Sequence, residues 1–215
     1  MKKIFFAVVL ALTTMAISAQ ERVFVEYDVL DDVEGKAARD RNFAIKLGTG
    51  ISNLSGSDAY SAFSYKLAFS YDCRLAKELY LIPEMDFVVK GSYPTEWISK
   101  LDLVYLQVPV CLAWKHNISR KVRLGIKGGP YIAVGLYGSQ IIWQENGMYK
   151  EKTDVFNSYH GSNRFDAGVM TGVHFDIYAF TIGVEYSCGF LMLNDEYTPL
   201  NGYNQAAGVT FGVCF

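Results

Sequence analysis

Residue types that alternate with a period of two are the feature of this sequence that most restricts its fold. From residue 43 onward, bulky apolar side chains alternate with small, polar or charged ones, and turn residues interrupt the pattern. No stretch in this region has the sustained spacing of an amphipathic helix. The alternation predicts eight β-strands, over residues 43–52, 62–73, 79–90, 101–115, 121–137, 164–176, 180–193 and 206–215.

The lengths of the connections between these strands also alternate. Those after the second, fourth and sixth strands are short, and the others are longer, with residues 138–163 forming the longest. Outer-membrane barrels have short periplasmic turns and long extracellular loops. Most of the strands also reach the length that a tilted strand needs to cross a bilayer. We therefore predict an all-β, eight-stranded antiparallel up-and-down transmembrane β-barrel over residues 42–215.

Size decides which face of each strand points into this barrel. Eight strands enclose a space that is only wide enough for side chains, and the bulky apolar set would overfill it. The bulky set is therefore expected to face lipid, with the polar set inside. Inward charges must pair or be hydrated, so we predict either a lumen ion-pair network or a thin hydrated passage. The inward charged residues are Lys46, Lys66, Glu84, Asp86, Arg123, Lys127, Asp166 and Glu185.

Composition agrees with a strand-spanning protein. The chain is 51% hydrophobic and 15% aromatic, yet 20% of its residues are charged. Membrane-spanning helices exclude charge, whereas alternating strands accommodate both kinds of residue. The net charge of -2 provides no basic surface for nucleic acid.

The first 19 residues have the pattern of a secretory signal peptide. Lys2 and Lys3 precede an apolar run of nine residues, 4–12, which is too short to span a bilayer as a helix. Small residues follow, and cleavage is expected after Ala19. Residues 20–41 are interpreted as an N-terminal leader or linker, so the mature chain is expected to leave the cytoplasm.

The closing strand indicates how the protein reaches its membrane. Phe211 and Phe215 lie on its bulky face, and Phe215 is the last residue. Barrels inserted by the outer-membrane assembly machinery commonly end in such an alternating strand with a terminal aromatic residue. These two residues are therefore the predicted membrane-insertion terminus, and that machinery is a predicted partner during insertion.

No pattern for catalysis, cofactor binding or metal binding is present in the sequence. The three histidines, His116, His160 and His174, are scattered, and neither metal-ligand spacing nor a GxSxG motif occurs. We predict a protein that is not an enzyme and that has neither a cofactor nor a metal site. The four cysteines lie within predicted strands and are expected to pack as small apolar residues: Cys73, Cys111, Cys188 and Cys214.

The long connection 138–163 carries four aromatic side chains among charges: Trp143, Tyr149, Phe156 and Tyr159. One interpretation is a solvated loop with a small β-extension above the membrane. The other is a contact surface for a partner or ligand, with these four aromatics as the contacts.

A set of segments in a fixed order resembles the PorT-like outer-membrane β-barrel family, the porin-family β-barrel domain of Bacteroidetes-type bacteria. The segments are KLGTGISNLSG, LYLIPEMDFVVKGS, LVYLQVPVCLAWK, IKGGPYIAVGL, and FDAGVMTGVHF followed by VEYSCGFLML. The resemblance covers about residues 42–215. It implies an eight-stranded outer-membrane barrel and no catalytic residues. Most members have no assigned activity, and one branch serves protein secretion.

The expected function is that of a non-enzymatic, integral component of the bacterial outer membrane, surrounded by its lipid. Narrow transport and a role beside a secretion or envelope partner both remain open. Two alternatives are a secreted soluble ligand-binding β-barrel and a surface adhesin that acts through the 138–163 loop.

Cell fractionation distinguishes the membrane barrel from the soluble alternative. We expect the protein in the outer-membrane fraction, with faster gel migration before boiling than after it, because a closed barrel in detergent stays compact until heated. A monodisperse protein purified from the periplasm without detergent would contradict the membrane assignment.

Overall fold

The computed structural model describes residues 42–55, 60–93, 98–119, 121–143, 150–156, 163–193 and 202–215. The predicted signal peptide and the leader therefore lie outside the described residues. Within the described ranges, no helix has the length and apolar character needed to cross a membrane.

Ten strands make up the described structure, and every pairing between them is antiparallel. They are β1 (Phe43–Ser55), β2 (Tyr60–Tyr71), β3 (Cys73–Arg74), β4 (Leu79–Tyr93), β5 (Ile98–Ser119), β6 (Val122–Trp143), β7 (Lys150–Asp154), β8 (Phe165–Ile177), β9 (Phe180–Leu193) and β10 (Gly202–Cys214).

Eight of these strands close into a barrel in the order β1-β2-β4-β5-β6-β8-β9-β10, with β10 pairing back onto β1. The two remaining strands are short: β3 continues the line of β2 along β4, and β7 pairs with β6 alone. The predicted fold class, an eight-stranded up-and-down barrel, is confirmed.

Strands β5 and β6 are longer than the alternation predicted, with 22 residues each. Strand β6 pairs with β8 only as far as Val134, and its last five residues, Ser139–Trp143, pair with β7 instead. The backbone groups of β6 therefore find a second partner beyond the barrel wall, which lets the strand continue. This hairpin of β6 and β7 agrees with the small β-extension in the first of the two interpretations of the long connection.

Side-chain exposure separates the two faces of every barrel strand. The outer face carries exposed large apolar residues, including Phe63 (72% exposed), Leu47 (64%) and Val184 (60%). The inner face carries buried charges, such as Asp86 (0%) and Lys127 (2%). Apolar side chains outside and charges inside are the arrangement that the limited space of an eight-stranded lumen requires.

The two ends of the barrel differ. Residues 75–78, 121 and 178–179 of the short connections lie at the same end of the barrel as Phe43 and Phe215; we call this the short-turn end. The opposite end, the long-loop end, carries the β6–β7 hairpin. Pairs of aromatic side chains pack together near the short-turn end. Their ring centroids are 6.5 Å apart for Phe43–Phe69, 6.3 Å for Phe43–Phe215 and 5.9 Å for Phe180–Phe211.

Two adjacent glycines in β6 provide a matched test of how closely β5 and β6 approach. A Cβ at Gly129 would lie 2.1 Å from the Val110 carbonyl oxygen, whereas at Gly128 the nearest atom would be 3.7 Å away. We expect Gly129→Ala to destabilise the barrel by about 1–3 kcal/mol through overpacking, and Gly128→Ala to have little effect. Urea unfolding of both variants in the same detergent measures the difference, and equal unfolding midpoints would contradict the close approach.

Candidate functional site

The lumen is the candidate site, and side chains fill it in four layers from the short-turn end to the long-loop end. The short-turn layer contains Asp72, Tyr80, Lys115, Arg123 and Asp176, and the central layer contains Lys46, Lys66, Glu84, Asp86, Lys127 and Glu185. The upper layer contains Lys90, Tyr105, Tyr131, Asp166 and Asn204. The apolar layer contains Leu54, Leu101, Leu103, Val155, Phe156 and Leu193.

The central layer is built around the Glu84 carboxylate on β4. Its Oε1 atom lies 2.9 Å from Lys46 Nζ on β1 and 2.6 Å from Lys127 Nζ on β6. Lys127 Nζ also lies 2.7 Å from Glu185 Oε1 on β9. One carboxylate and one ammonium therefore link four strands, no two of which are neighbours in the barrel wall.

Lys66 on β2 extends this chain of ion pairs. It contacts Glu185 Oε2, and its Nζ lies 3.3 Å from Asp86 Oδ2. The central layer thus holds three lysines and three acids in one connected network with no net charge. Such pairing offsets the desolvation that each buried charge would otherwise suffer.

The short-turn layer is a second ion-pair cluster. Arg123 donates to Asp176 Oδ2 from Nε (3.2 Å), and its Nη2 lies 3.1 Å from the same oxygen. Lys115 pairs with Asp72 and lies 3.5 Å from Asp176 Oδ2. Both cations also lie over the ring of Tyr80, with Lys115 Nζ 5.3 Å and Arg123 Cζ 5.5 Å from the ring centroid. Cation–π contacts therefore add to the ion pairs of this layer.

The upper layer centres on Asp166. Its Oδ2 atom accepts hydrogen bonds from the Tyr131 hydroxyl (3.1 Å) and from Asn204 Nδ2 (3.2 Å). Asn204 Nδ2 lies 3.2 Å from the Tyr105 hydroxyl oxygen as well. Lys90 Nζ is 3.7 Å from Asp166 Oδ2 and lies 5.2–5.5 Å from the centroids of both tyrosine rings. Two large buried rings, those of Tyr105 and Tyr131, therefore lie inside the lumen at this height.

Phe156 closes the long-loop end of the lumen. Its ring meets the Tyr105 ring edge-on, with centroids 6.0 Å apart. Gly135 and Gly138 make room for it, because a Cβ on either would come within 2.4 Å or 2.9 Å of the ring. Arg164 Nε donates to the Phe156 carbonyl oxygen at 3.0 Å, and Nη2 donates to the same oxygen. We call Val155 and Phe156 the cap.

The prediction that Phe156 is an exposed loop contact is therefore wrong. The residue is 4% exposed, because two distant glycines provide a socket that the loop sequence does not reveal. Of the other predicted loop contacts, Trp143 ends β6, whereas Tyr149 and Tyr159 lie outside the described residues.

The structure distributes the eight predicted lumen residues over three layers. Six of them form the central network, Arg123 lies in the short-turn layer, and Asp166 lies in the upper layer. The sequence interpretation did not include Lys90 and Lys115, although both stand on the polar faces of their strands. It also missed Asn204, which precedes the start predicted for the last strand. Phe211 and Phe215, the predicted insertion terminus, are 54% and 64% exposed on the outer wall.

The described part of the lumen contains a small cavity. A cavity of about 50 Å³ lies between the central and upper layers, lined by Lys66, Gln107, Met170, Glu185 and Ser187 among others. A cavity needs about 10–15 Å³ to hold one water molecule on this scale, so this space admits a few waters and is too small for an organic solute.

Reactive and metal-binding groups are sparse in the described part of the chain. Its four cysteines are free, and it contains no group of three or more His, Cys, Asp or Glu residues that could hold a metal ion.

An exposed clasp lies on the outer side of the short-turn end. His116 Nδ1 lies 2.9 Å from Glu78 Oε1, Trp114 Nε1 donates to Glu78 Oε2 at 2.9 Å, and the two rings stack. The hydrogen bonds from His116 and then Trp114 lower the pKa of the Glu78 carboxyl. Their stabilising effect is present at neutral pH and is lost as the pH falls through that lowered pKa.

Comparison with known proteins identifies the class and then the family. A closed antiparallel barrel with an apolar outer wall and a charged interior defines an integral outer-membrane barrel protein. Residues 19–193 match the family model described as "Outer membrane protein beta-barrel domain", so the chain belongs to that family. No curated protein sequence matches the chain.

Solved structures of three outer-membrane proteins are similar to this chain. The outer membrane enzyme PagL aligns with a TM-score of 0.52 at 12% identity, covering 80% of this chain and 99% of that one. Neisserial surface protein A aligns with a TM-score of 0.48 at 12% identity, covering 80% of this chain and 97% of that one. Ail, the attachment invasion locus protein of Yersinia pestis, gives 0.42 at 14% identity, covering 81% and 97%. Identities this low show likeness of fold alone.

Family membership orients the barrel. Short turns face the periplasm and long loops face the cell exterior in this class of protein. The short-turn end is therefore periplasmic, and the cap closes the lumen on the extracellular side.

The shared Glu84 carboxylate provides a test of the central network. We expect Glu84→Gln to destabilise the barrel by about 3–5 kcal/mol, because Lys46 and Lys127 would lose the buried charge that they share. Urea unfolding in detergent measures the loss. Asp102→Asn is the control, since its ion pair with Lys100 is partly exposed on the outer wall and such pairs contribute little. Equal unfolding midpoints for Glu84→Gln and the wild type would contradict the network.

Proposed function

We propose that the protein is a non-conducting outer-membrane barrel that acts through its two ends rather than through its lumen. The observation that supports this most directly is the connected ion-pair network of the central layer. It joins β1, β2, β4, β6 and β9 across the interior.

Charge balance favours a plug over a passage for solutes. Within the polar layers, each set of cations is matched by an equal number of acids: three of each in the central layer, Lys90 with Asp166 above, and Lys115 and Arg123 with Asp72 and Asp176 below. A selective pore presents unpaired charges of one sign to its water. The buried charges here contact one another instead, and the cap covers the extracellular mouth.

The same pairing supports a role without catalysis. Six lumen acids accept hydrogen bonds or form ion pairs with neighbouring lysine, arginine, tyrosine or asparagine side chains: Asp72, Glu84, Asp86, Asp166, Asp176 and Glu185. Acids held in this way are not available as general acids or bases without breaking the network.

A second candidate, contact with a partner at the cell surface, is favoured by the β6–β7 hairpin. This hairpin continues beyond the last β6–β8 pair at Val134, and its β7 residues Lys150–Asp154 lie at the long-loop end. An adhesin, or a partner of a secretion complex as the PorT-like resemblance implies, would use this surface. Protease added to intact cells should cleave between residues 138 and 163, and resistance there would exclude a surface role.

Conductance in planar bilayers tests the plug. We expect the purified wild-type protein to give no stable open steps. The Glu84→Ala/Lys127→Ala double variant removes one acid and one base, so it keeps the charge balance while opening the central layer, but the upper layer and the cap should still keep it closed. Open steps are expected only when Tyr105→Ala, Tyr131→Ala and Phe156→Ala are added to it. Heat-modifiable gel mobility checks that the double variant is folded. Stable open steps in the wild type would overturn the proposal.

A further inference from the structure

The periplasmic rim carries an exposed cation held over an exposed ring. Lys121 Nζ lies 5.3 Å from the centroid of the Tyr178 ring, and Tyr178 is 63% exposed. The Tyr178 backbone N–H donates to the Lys121 carbonyl oxygen at 3.2 Å. The two-residue turn after β8 is therefore fastened to the turn before β6.

Tyr178 adopts an unfavourable backbone conformation to take this position. Its φ is 55°, and among the described residues it is the only non-glycine residue with a positive φ. A bulky residue in this region is strained, and glycine or asparagine is the usual occupant. Strain of this kind is retained where the surroundings or the function require the side chain. The hydrogen bond to Lys121 holds the turn, but it requires no tyrosine ring.

The described turns at the periplasmic rim carry a small excess of positive charge. Residues 75–78 contain Lys77 and Glu78, Lys121 lies in the turn before β6, and the turn 178–179 has no charged residue. The Glu78 carboxylate is already hydrogen-bonded to His116 and Trp114. The Lys121 ammonium is therefore a group that attracts anions at this rim.

An apolar track leads from this rim up the outer wall. On β8, Ile177, Phe175 and Val173 are each about 40% exposed, and they pair in register with Val122, Leu124 and Ile126 on β6. An acyl chain lying along this track would place its headgroup beside Lys121 and Tyr178. Tyrosine rings favour that depth in a membrane, because one edge is apolar and the hydroxyl reaches water.

We propose that Lys121 and Tyr178 form a binding site for the phosphate headgroup of an anionic phospholipid in the periplasmic leaflet. The Lys121 ammonium pairs with the phosphate, the Tyr178 ring fixes the lysine and lies among the headgroups, and the β6–β8 track holds an acyl chain. The strained turn keeps the ring beside the lysine.

Native mass spectrometry of the full-length protein in detergent tests the site. Phosphatidylglycerol and phosphatidylcholine with identical acyl chains are added in equal amounts. We expect the wild type to prefer phosphatidylglycerol. In Lys121→Gln the ratio of bound phosphatidylglycerol to bound phosphatidylcholine should fall about five-fold, since a basic residue near an anionic membrane surface contributes about 1 kcal/mol. Lys100→Gln, which removes an exposed lysine of the outer wall at the opposite end, is the matched control and should bind as the wild type does.

Tyr178→Gly separates binding from folding. Glycine relieves the strained φ, so we expect the variant to be at least as stable as the wild type in urea while its preference for phosphatidylglycerol falls. An added excess of inorganic phosphate should displace little lipid, since it lacks the acyl chain. Wild-type lipid preference in Lys121→Gln, unchanged preference in Tyr178→Gly, or full displacement by inorganic phosphate would each overturn the proposal.

Discussion

Closure of the β1–β10 ladder is the constraint on which the rest of the structure depends. Hydrocarbon offers no partner for a backbone N–H or C=O group, so a sheet can span a membrane only if it has no open edge. Twelve residue pairs, from Ala44–Cys214 to Ser55–Tyr203, join the first and last barrel strands. Once the sheet is closed around eight strands, the narrow interior holds the charged residues and a few large rings, and most of the bulky apolar side chains face outward.

Much of this arrangement could be predicted from the sequence because alternation is a local signal. The face to which Lys46, Lys66 or Asp86 belongs follows from its neighbours one residue away, whatever the rest of the chain does. The alternating lengths of the connections then give the topology. The number of strands and the outward-facing aromatic residues could therefore be predicted from the sequence. The closed eight-stranded sheet and the family match both agree with that prediction.

The pairs that form across the lumen were not accessible in the same way. Whether Glu84 meets Lys127 or Asp166 meets Lys90 depends on the stagger between strands, which no single strand encodes. Phe156 shows the limit most clearly: an aromatic residue in a polar segment predicts an exposed contact, but Gly135 and Gly138 on β6 accept its ring into the barrel mouth. The end of β6 was also predicted too early, because β7 pairs with β6 beyond the barrel wall.

The ion pairs of the central layer have a mechanical consequence. Glu84 with Lys46, Lys127 with Glu185, and Lys66 with Glu185 connect strands that are not neighbours, so they brace the wall from within. Flattening the barrel into an ellipse would stretch some of these contacts and compress others. A cylinder braced in this way resists lateral pressure from the bilayer as a rigid body, and it meets changes in bilayer thickness by tilting instead of by altering its cross-section.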